Sequence, residues 1–375
     1  MNTKAFFEQS VLGFLAPVRP FLDDPTVSEV MINGPFDVFV ERRGRIEKTS
    51  ARFESHEALL AAVRNLSQYV GRVVSEDEPI LEGHLPDGSR VEAILPPVSH
   101  GGAHLSIRRF AKDTLTLERL VDLRSLDVEA ALALRAYVRA KINVLIAGGT
   151  GTGKTSMLNA LSGVVPRGER VIVIEDTREV QVQGDHVVYL ETRGPRPSGR
   201  GAIGMRDLFR ASLRMRPDRV IVGEVRGGEA LEIVQAMTSG HGGCMGTLHA
   251  ATPHDALARL ETMCLMSDVG LPLTAMRAQI GSAIQVIVQA CRMEDGSRKV
   301  THITEVVGWD PTAARYEVVD VFRRRNVVRK GKPVNMLAAT GKRTAFLELL
   351  EAHGTQATPE LLGLPSEHQQ NERSS

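Results

Sequence analysis

The eight residues Gly148-Gly149-Thr150-Gly151-Thr152-Gly153-Lys154-Thr155 constrain this chain more than any other feature. They meet the pattern G-x-x-x-x-G-K-[ST], and their surroundings supply what the pattern needs. A short apolar run, Asn143-Val144-Leu145-Ile146-Ala147, leads in. A helical segment, Ser156-Met157-Leu158-Asn159-Ala160-Leu161, leads out. Glycines permit backbone turns closed to other residues. The N–H groups of such a loop converge on phosphate oxygens at a helix N-terminus, which already favours negative charge. Lys154 is expected to reach the β- and γ-phosphates, and Thr155 to ligate Mg2+. Residues Gly148 to Ser156 are the expected cradle; alone they call for the phosphates of ATP or GTP.

Two more runs, Val171-Ile172-Val173-Ile174 and Val220-Ile221-Val222, repeat the fully apolar pattern of buried parallel strands. Helical segments lie between them, so the expected fold is α/β, a parallel sheet with right-handed crossovers. Such sheets place ligands at the C-terminal ends of their strands. There the first run meets Glu175-Asp176-Thr177-Arg178-Glu179, and the second meets Gly223-Glu224-Val225-Arg226. Hydrolysis of a bound nucleotide needs one carboxylate for the Mg2+ shell and another to polarise water. Glu224 is assigned to the metal shell with Thr155, and Glu175 to water activation. Asp176 and Glu179 read equally as surface turn residues.

A glycine-rich segment, Ser239-Gly240-His241-Gly242-Gly243 then Gly246-Thr247-Leu248-His249-Ala250, carries two histidines. Their spacing is not that of a helical metal pair. A histidine beside the cradle can sense the γ-phosphate, and His249 is the stronger candidate. Arginines crowd the approach to Glu224 (Arg206, Arg210, Arg214, Arg216, Arg219) and recur early in the chain (Arg90, Arg108, Arg109). An arginine from another domain or subunit can neutralise transition-state charge.

At 375 residues the chain is expected to hold two domains and a tail. Strands over 25–34 and 37–41, a helix over 57–66, and strands over 90–95 and 104–110 give a small α/β domain, 1–110. Residues 111–125 read as a linker, with Thr116 as a helix N-cap. A helix covers 128–140, and the cradle domain runs over 126–310. A C-terminal extension, 311–355, includes a helix near 342–353. The polar tail 356–375 is expected to be loose. The net charge of +1 exerts no global pull on nucleic acid, and with aromatics at 4% no direct contact with it is expected. Three unpaired-looking cysteines fit a reducing cytoplasm. No stretch reaches the about 18 apolar residues of a spanning helix.

Four motifs in order, GGTGTGKTS, VIVIEDTREV, RMRPDRVIVGEVRGGEA and SGHGGCMGTLHAATP, resemble the secretion ATPase superfamily of type II and type IV secretion and type IV pili. The likeness is greatest to the CpaF-type ATPase of Tad/Flp pilus assembly. The early segments DPTVSEVMINGPFDVFVERRGRI, LPDGSRVEAILPP and LSIRRF resemble that family's first domain, so the likeness covers roughly 20–308. It implies a RecA-like P-loop domain preceded by a smaller PAS-like α/β domain, hydrolysis of ATP with Mg2+, and a homo-hexameric ring. The ring would work at the cytoplasmic face of the inner membrane, driving a membrane platform protein. By motif, Glu175 falls in the Asp box, Glu224 in Walker B, and His241 and His249 in the His box. Arg90 and Arg108 fall where the first domain supplies arginines to the γ-phosphate. A DNA-handling conjugative motor and a nucleotide-binding scaffold without turnover are the alternatives.

The chain departs from the pattern at three places. It begins almost at the first domain, where longer members carry a further helical segment. Gly242-Gly243-Cys244 replaces the acidic or polar residue usual after the first histidine. The likeness is read from these motifs no further than about 310. There Arg323, Arg324, Arg325, Arg329, Lys330 and Lys332 lie in a stretch with no acid between 321 and 347. That stretch reads as a solvated face or as a docking surface for an acidic partner or anionic lipid.

Overall fold

Alternating apolar and polar residues build the first part of the chain, and uniformly apolar runs build the second. The computed structural model describes residues 13–364, apart from 43, 86, 110–114, 196–199 and 330–331. The chain divides into two units, Met1–Asp113 and Thr114–Ser375.

The first unit contains α1 (Arg19–Asp23), β1 (Val27–Asn33), β2 (Val38–Arg42), β3 (Arg45–Lys48), α2 (His56–Tyr69), β4 (Ile80–His84), β5 (Arg90–Ile94) and β6 (His104–Arg108). Its sheet runs β3-β2-β1-β6-β5-β4, antiparallel at every pairing. Period-two alternation sends Val30, Ile32, Val91, Ala93, Leu105 and Ile107 inward. They pack in one core with Leu59, Ala62, Val63 and Leu66 of α2. Ser55 caps α2 by accepting the Ala58 N–H at 3.2 Å. Beyond the expected strands, β3 and β4 are added at the two edges. Both are short and largely exposed, so they carry little apolar signal.

The second unit holds α3 (Leu117–Asp122), α4 (Val128–Arg139), β7 (Val144–Gly148), α5 (Lys154–Ser162), β8 (Val171–Glu175), β9 (Val187–Glu191), α6 (Met205–Ser212), β10 (Arg219–Val222), α7 (Glu229–Thr238), β11 (Met245–Leu248), α8 (Pro253–Leu265), α9 (Leu273–Ala283), β12 (Val286–Arg292), β13 (Arg298–Asp310), β14 (Arg315–Arg329), β15 (Lys332–Ala339) and α10 (Leu347–Ala352). One nine-stranded sheet runs β15-β14-β13-β12-β7-β11-β10-β8-β9. From β12 to β9 the pairings are parallel, and from β12 to β15 antiparallel. Both faces of the parallel half are covered. Val144 and Ile146 pack with α4 and α5, while Leu145 and Ala147 pack with α6 to α9.

Three expected boundaries are corrected. The linker 111–125 ends in a packed helix: Leu117 and Leu120 of α3 are buried in the core, and Thr116 caps it by accepting the Arg119 N–H at 3.2 Å. Residues 110–114 lie outside the described residues. Residue 310 is not a domain edge. β13 turns there into β14, with Asp310 opposite Arg315, and the sheet continues through β15. The tail is not loose from 356: Leu361 is fully buried in the same core as Leu350, and its carbonyl accepts the Thr344 N–H at 2.7 Å. Residues 365–375 lie outside the described residues.

Two carboxylates fasten this C-terminal region. The fully buried Glu305 of β13 accepts from the Tyr137 and Thr344 hydroxyls and from the Ala345 N–H at 2.8 Å. Asp127 accepts the Leu337 N–H at 2.7 Å. The basic stretch forms the far part of the β14–β15 hairpin, past the point where His302 pairs with Arg323. Arg324 is no docking cation: its side chain is 5% exposed, donates to the Val300 carbonyl at 2.7 Å and lies 3.6 Å from Asp127. Arg323 and Arg325 are exposed, and Lys330 lies outside the described residues.

Candidate nucleotide site

The cradle joins the end of β7 to the start of α5. Gly151 (φ 70°) and Gly153 (φ 92°) both adopt left-handed backbone, which is why other residues are disfavoured there. At Gly148 a Cβ would lie 2.6 Å from the Ala290 carbonyl of β12, so a side chain would force the strands apart. The β12–β13 turn braces the loop from outside, where Arg298 Nε donates to the Gly151 carbonyl at 3.0 Å. Lys154 is 9% exposed and donates to the Gly149 carbonyl at 2.9 Å. Burial lowers its pKa from the usual lysine value.

β11 lies between β7 and β10, so its C-terminal end delivers His249 between the lysine and Walker-type acid. Both His249 ring nitrogens are 3.5 Å from Lys154 Nζ, and Nε2 is 2.8 Å from Glu224 Oε1. Burial and the neighbouring Lys154 hold the imidazole below its ordinary pKa. A carboxylate oxygen accepts, so His249 Nε2 is the donor of this contact. The second Glu224 oxygen accepts from Arg226 Nη2 at 2.5 Å, and Arg226 Nη1 reaches Asp176 at 3.2 Å. Lys154, His249, Glu224, Arg226 and Asp176 thus form one chain of polar contacts across the ends of β7, β11, β10 and β8.

Glu175 ends β8 and Glu179 lies in the loop that follows, and the two acids sit in different settings. Glu175 is 4% exposed, and its Oε1 accepts the N–H groups of Glu179 at 3.1 Å and Val180 at 3.0 Å. Burial pushes its carboxyl up to about 7. Glu179, left undecided by the sequence, brings Oε2 to 3.4 Å from the Thr155 hydroxyl. The available signal was its place in an acidic run after a strand. The run leaves β8 as a loop, and loops have no periodicity from which to read direction.

His241 and His249 flank β11 at opposite ends. A four-residue strand spans about 13 Å, so only His249 stands on the cradle side. Arg206 and Arg210 are consumed by the buried Glu232, at 2.5 Å and 2.8 Å, and the fully buried Arg219 by Glu169 at 2.5 Å. In the first unit Arg90 and Arg108 are cross-strand partners on β5 and β6. Arg90 donates to Glu82 at 2.7 Å.

Among the described residues no group of three or more His, Cys, Asp or Glu could hold a metal by itself. Mg2+ takes one or two protein ligands beside nucleotide phosphates and water. The Thr155 hydroxyl fits this requirement as one ligand, and Glu179 Oε2 stands 3.4 Å from it. Among the described residues no helix is long and apolar enough to cross a membrane.

Residues 14–337 match the family model described as type II/IV secretion system protein. The chain is 33% identical over 292 residues to the conjugal transfer protein TrbB of Rhizobium radiobacter, covering 77% of this chain and 86% of that protein. It is 32% identical over 313 residues to the type IV secretion system protein PtlH of Bordetella pertussis, covering 77% and 92%. The solved structure of the Legionella pneumophila ATPase DotB, 19% identical, has the same fold at a TM-score of 0.55, over 80% of this chain and 82% of that one.

Proposed function

The chain belongs to the type II/IV secretion ATPase superfamily, and on that premise we propose that it hydrolyses ATP to drive a secretion or pilus-assembly machine. The observation that carries this reading is the convergence of Lys154, His249 and Glu224 on the cradle. Gly148 to Ser156 bind the phosphates, and Lys154 leaves the Gly149 carbonyl to meet them. Thr155 and Glu224 would hold Mg2+, which would supply charge neutralisation there; Glu224, which here accepts from Arg226, would be one of its ligands. Glu179, 3.4 Å from the Thr155 hydroxyl, is the acid proposed to polarise the attacking water in place of Glu175, and His249 is proposed to sense the γ-phosphate. Arg90 and Arg108, paired on the first unit's sheet, supply cations to the developing charge.

In this reading six copies form a ring at the cytoplasmic face of the inner membrane. The ring acts on a membrane platform protein of a Tad/Flp-type pilus or a related secretion system, without direct contact with nucleic acid. A conjugative DNA-handling role is the second reading, favoured by the likeness to TrbB. Phosphate release by the wild type, Lys154→Ala and Glu224→Gln tests hydrolysis: turnover is expected only in the wild type, and equal rates in all three proteins refute the motor. Retention of single-stranded DNA in a filter assay would favour the second reading.

A further inference from the structure

The buried carboxylate at the end of β8 has a place in the site that its motif does not reveal. Glu175 is the last residue of β8, and its side chain turns into the protein. Gly223, at the end of the adjacent β10, makes room for it. A Cβ on Gly223 would lie 2.6 Å from Glu175 Cγ and 2.9 Å from its Oε1, so any side chain there would displace the carboxylate. The backbone at Gly223 is itself fixed. Its N–H donates to Ile174 at 2.9 Å, and its carbonyl accepts the Thr247 hydroxyl at 2.6 Å.

From this seat one oxygen of Glu175 holds two successive amides, those of Glu179 and Val180. Val180 is fully buried in the core, so the loop is pinned on the far side of Glu179 as well. The charged groups acting most strongly on Glu175 are other carboxylates, Glu179 and Glu191, rather than Lys154. Both amides it holds belong to the loop after β8, not to the cradle. What it does reach is the backbone of the residue whose own carboxylate stands 3.4 Å from Thr155.

We infer that Glu175 is a positioning residue: through two backbone hydrogen bonds it holds the loop that presents Glu179 to the phosphate cradle. The inference rests on the ATPase reading for its kinetic consequences but not for its structural ones. Two acceptor bonds need an oxygen and no charge, so Gln replaces Glu175 and Ala does not. A group that accepted a proton from water would behave oppositely, because Gln abolishes a base as fully as Ala does.

Two measurements on the full-length protein decide. Amide exchange is read first, without nucleotide. In Glu175→Ala the Glu179 and Val180 amides should exchange at least about tenfold faster than in the wild type, while Glu175→Gln keeps their protection. Gly223→Ala, which displaces the carboxylate without removing it, should match Glu175→Ala. Turnover is read second. Glu175→Ala should lower kcat about tenfold or more with little change in KM for ATP, and Glu175→Gln should recover most of the loss. Protected amides in Glu175→Ala would overturn the inference. So would Glu175→Gln that keeps its amides protected yet is as inactive as Glu175→Ala. A wild type that turns over no ATP would refute the proposed function instead, leaving the exchange experiment to decide the role of Glu175.

Discussion

The parallel and antiparallel halves of the nine-stranded sheet share one ladder of hydrogen bonds, joined at β12, yet they differ in what their ends carry. β7, β8, β10 and β11 run the same way, so their C-terminal ends gather Gly148, Glu175, Glu224 and His249 along one edge. β13, β14 and β15 alternate in direction, so no edge collects their ends. They carry buried polar fasteners instead: Glu305 to Tyr137, Thr344 and Ala345, and Arg324 to Val300 and Asp127. The comparison teaches a division of labour. Parallel strands concentrate reactive groups, while the antiparallel strands clamp the C-terminal chain to α4 and to the loop before it.

The sharpest way to break this division is at Glu305. Glu305→Ala leaves the Tyr137 and Thr344 hydroxyls and the Ala345 N–H without their acceptor, which should cost about 3 kcal/mol. Urea unfolding should show this loss, while phosphate release per folded molecule stays at the wild-type level. A change in turnover without a change in stability would mean that the clamp belongs to the active site.

Next comes the pH dependence of the parallel half. The Glu175 carboxyl is raised to about 7 in the folded chain, from an ordinary value of 4.5. A carboxyl raised by folding binds more protons when folded. Its contribution to stability is therefore fullest below about 4.5 and declines as pH rises to about 7. The decline should be on the order of 2–3 kcal/mol, and Glu175→Gln should lack it. Melting at pH 5 and pH 8, without nucleotide, reads the difference: the variant should gain on the wild type at the higher pH.

A smaller effect is expected at His249. Its Nε2 lies 2.8 Å from Glu224 Oε1. His249→Ala should lower kcat about 30-fold, equivalent to about 2 kcal/mol, with unchanged unfolding. The smallest is Arg324→Ala, which should cost about 1 kcal/mol of stability and no turnover.

What the sequence disclosed follows the same division. Val144 to Gly148, Val171 to Ile174 and Val220 to Val222 are buried on both faces, so they are apolar throughout and readable as parallel strands. The cradle is readable because its chemistry depends on residue type and spacing. β14 reads as nothing regular, since its fifteen residues mix buried Val321 and Phe322 with exposed arginines. The basic run therefore looked like surface charge, although Arg324 is almost wholly buried. β11 was hidden among glycines because its four residues include Gly246 and Thr247. The settings of Glu175 and Glu179 were not legible for a different reason. Position after a strand tells where an acid begins, while its direction depends on what packs behind it, and here that is the missing side chain of Gly223.

The most direct test of the account is phosphate release at saturating ATP and Mg2+ by the wild type, Lys154→Ala and Glu305→Gln. Lys154→Ala should fall to background while remaining folded, and Glu305→Gln should turn over like the wild type. Wild-type turnover by Lys154→Ala would contradict it.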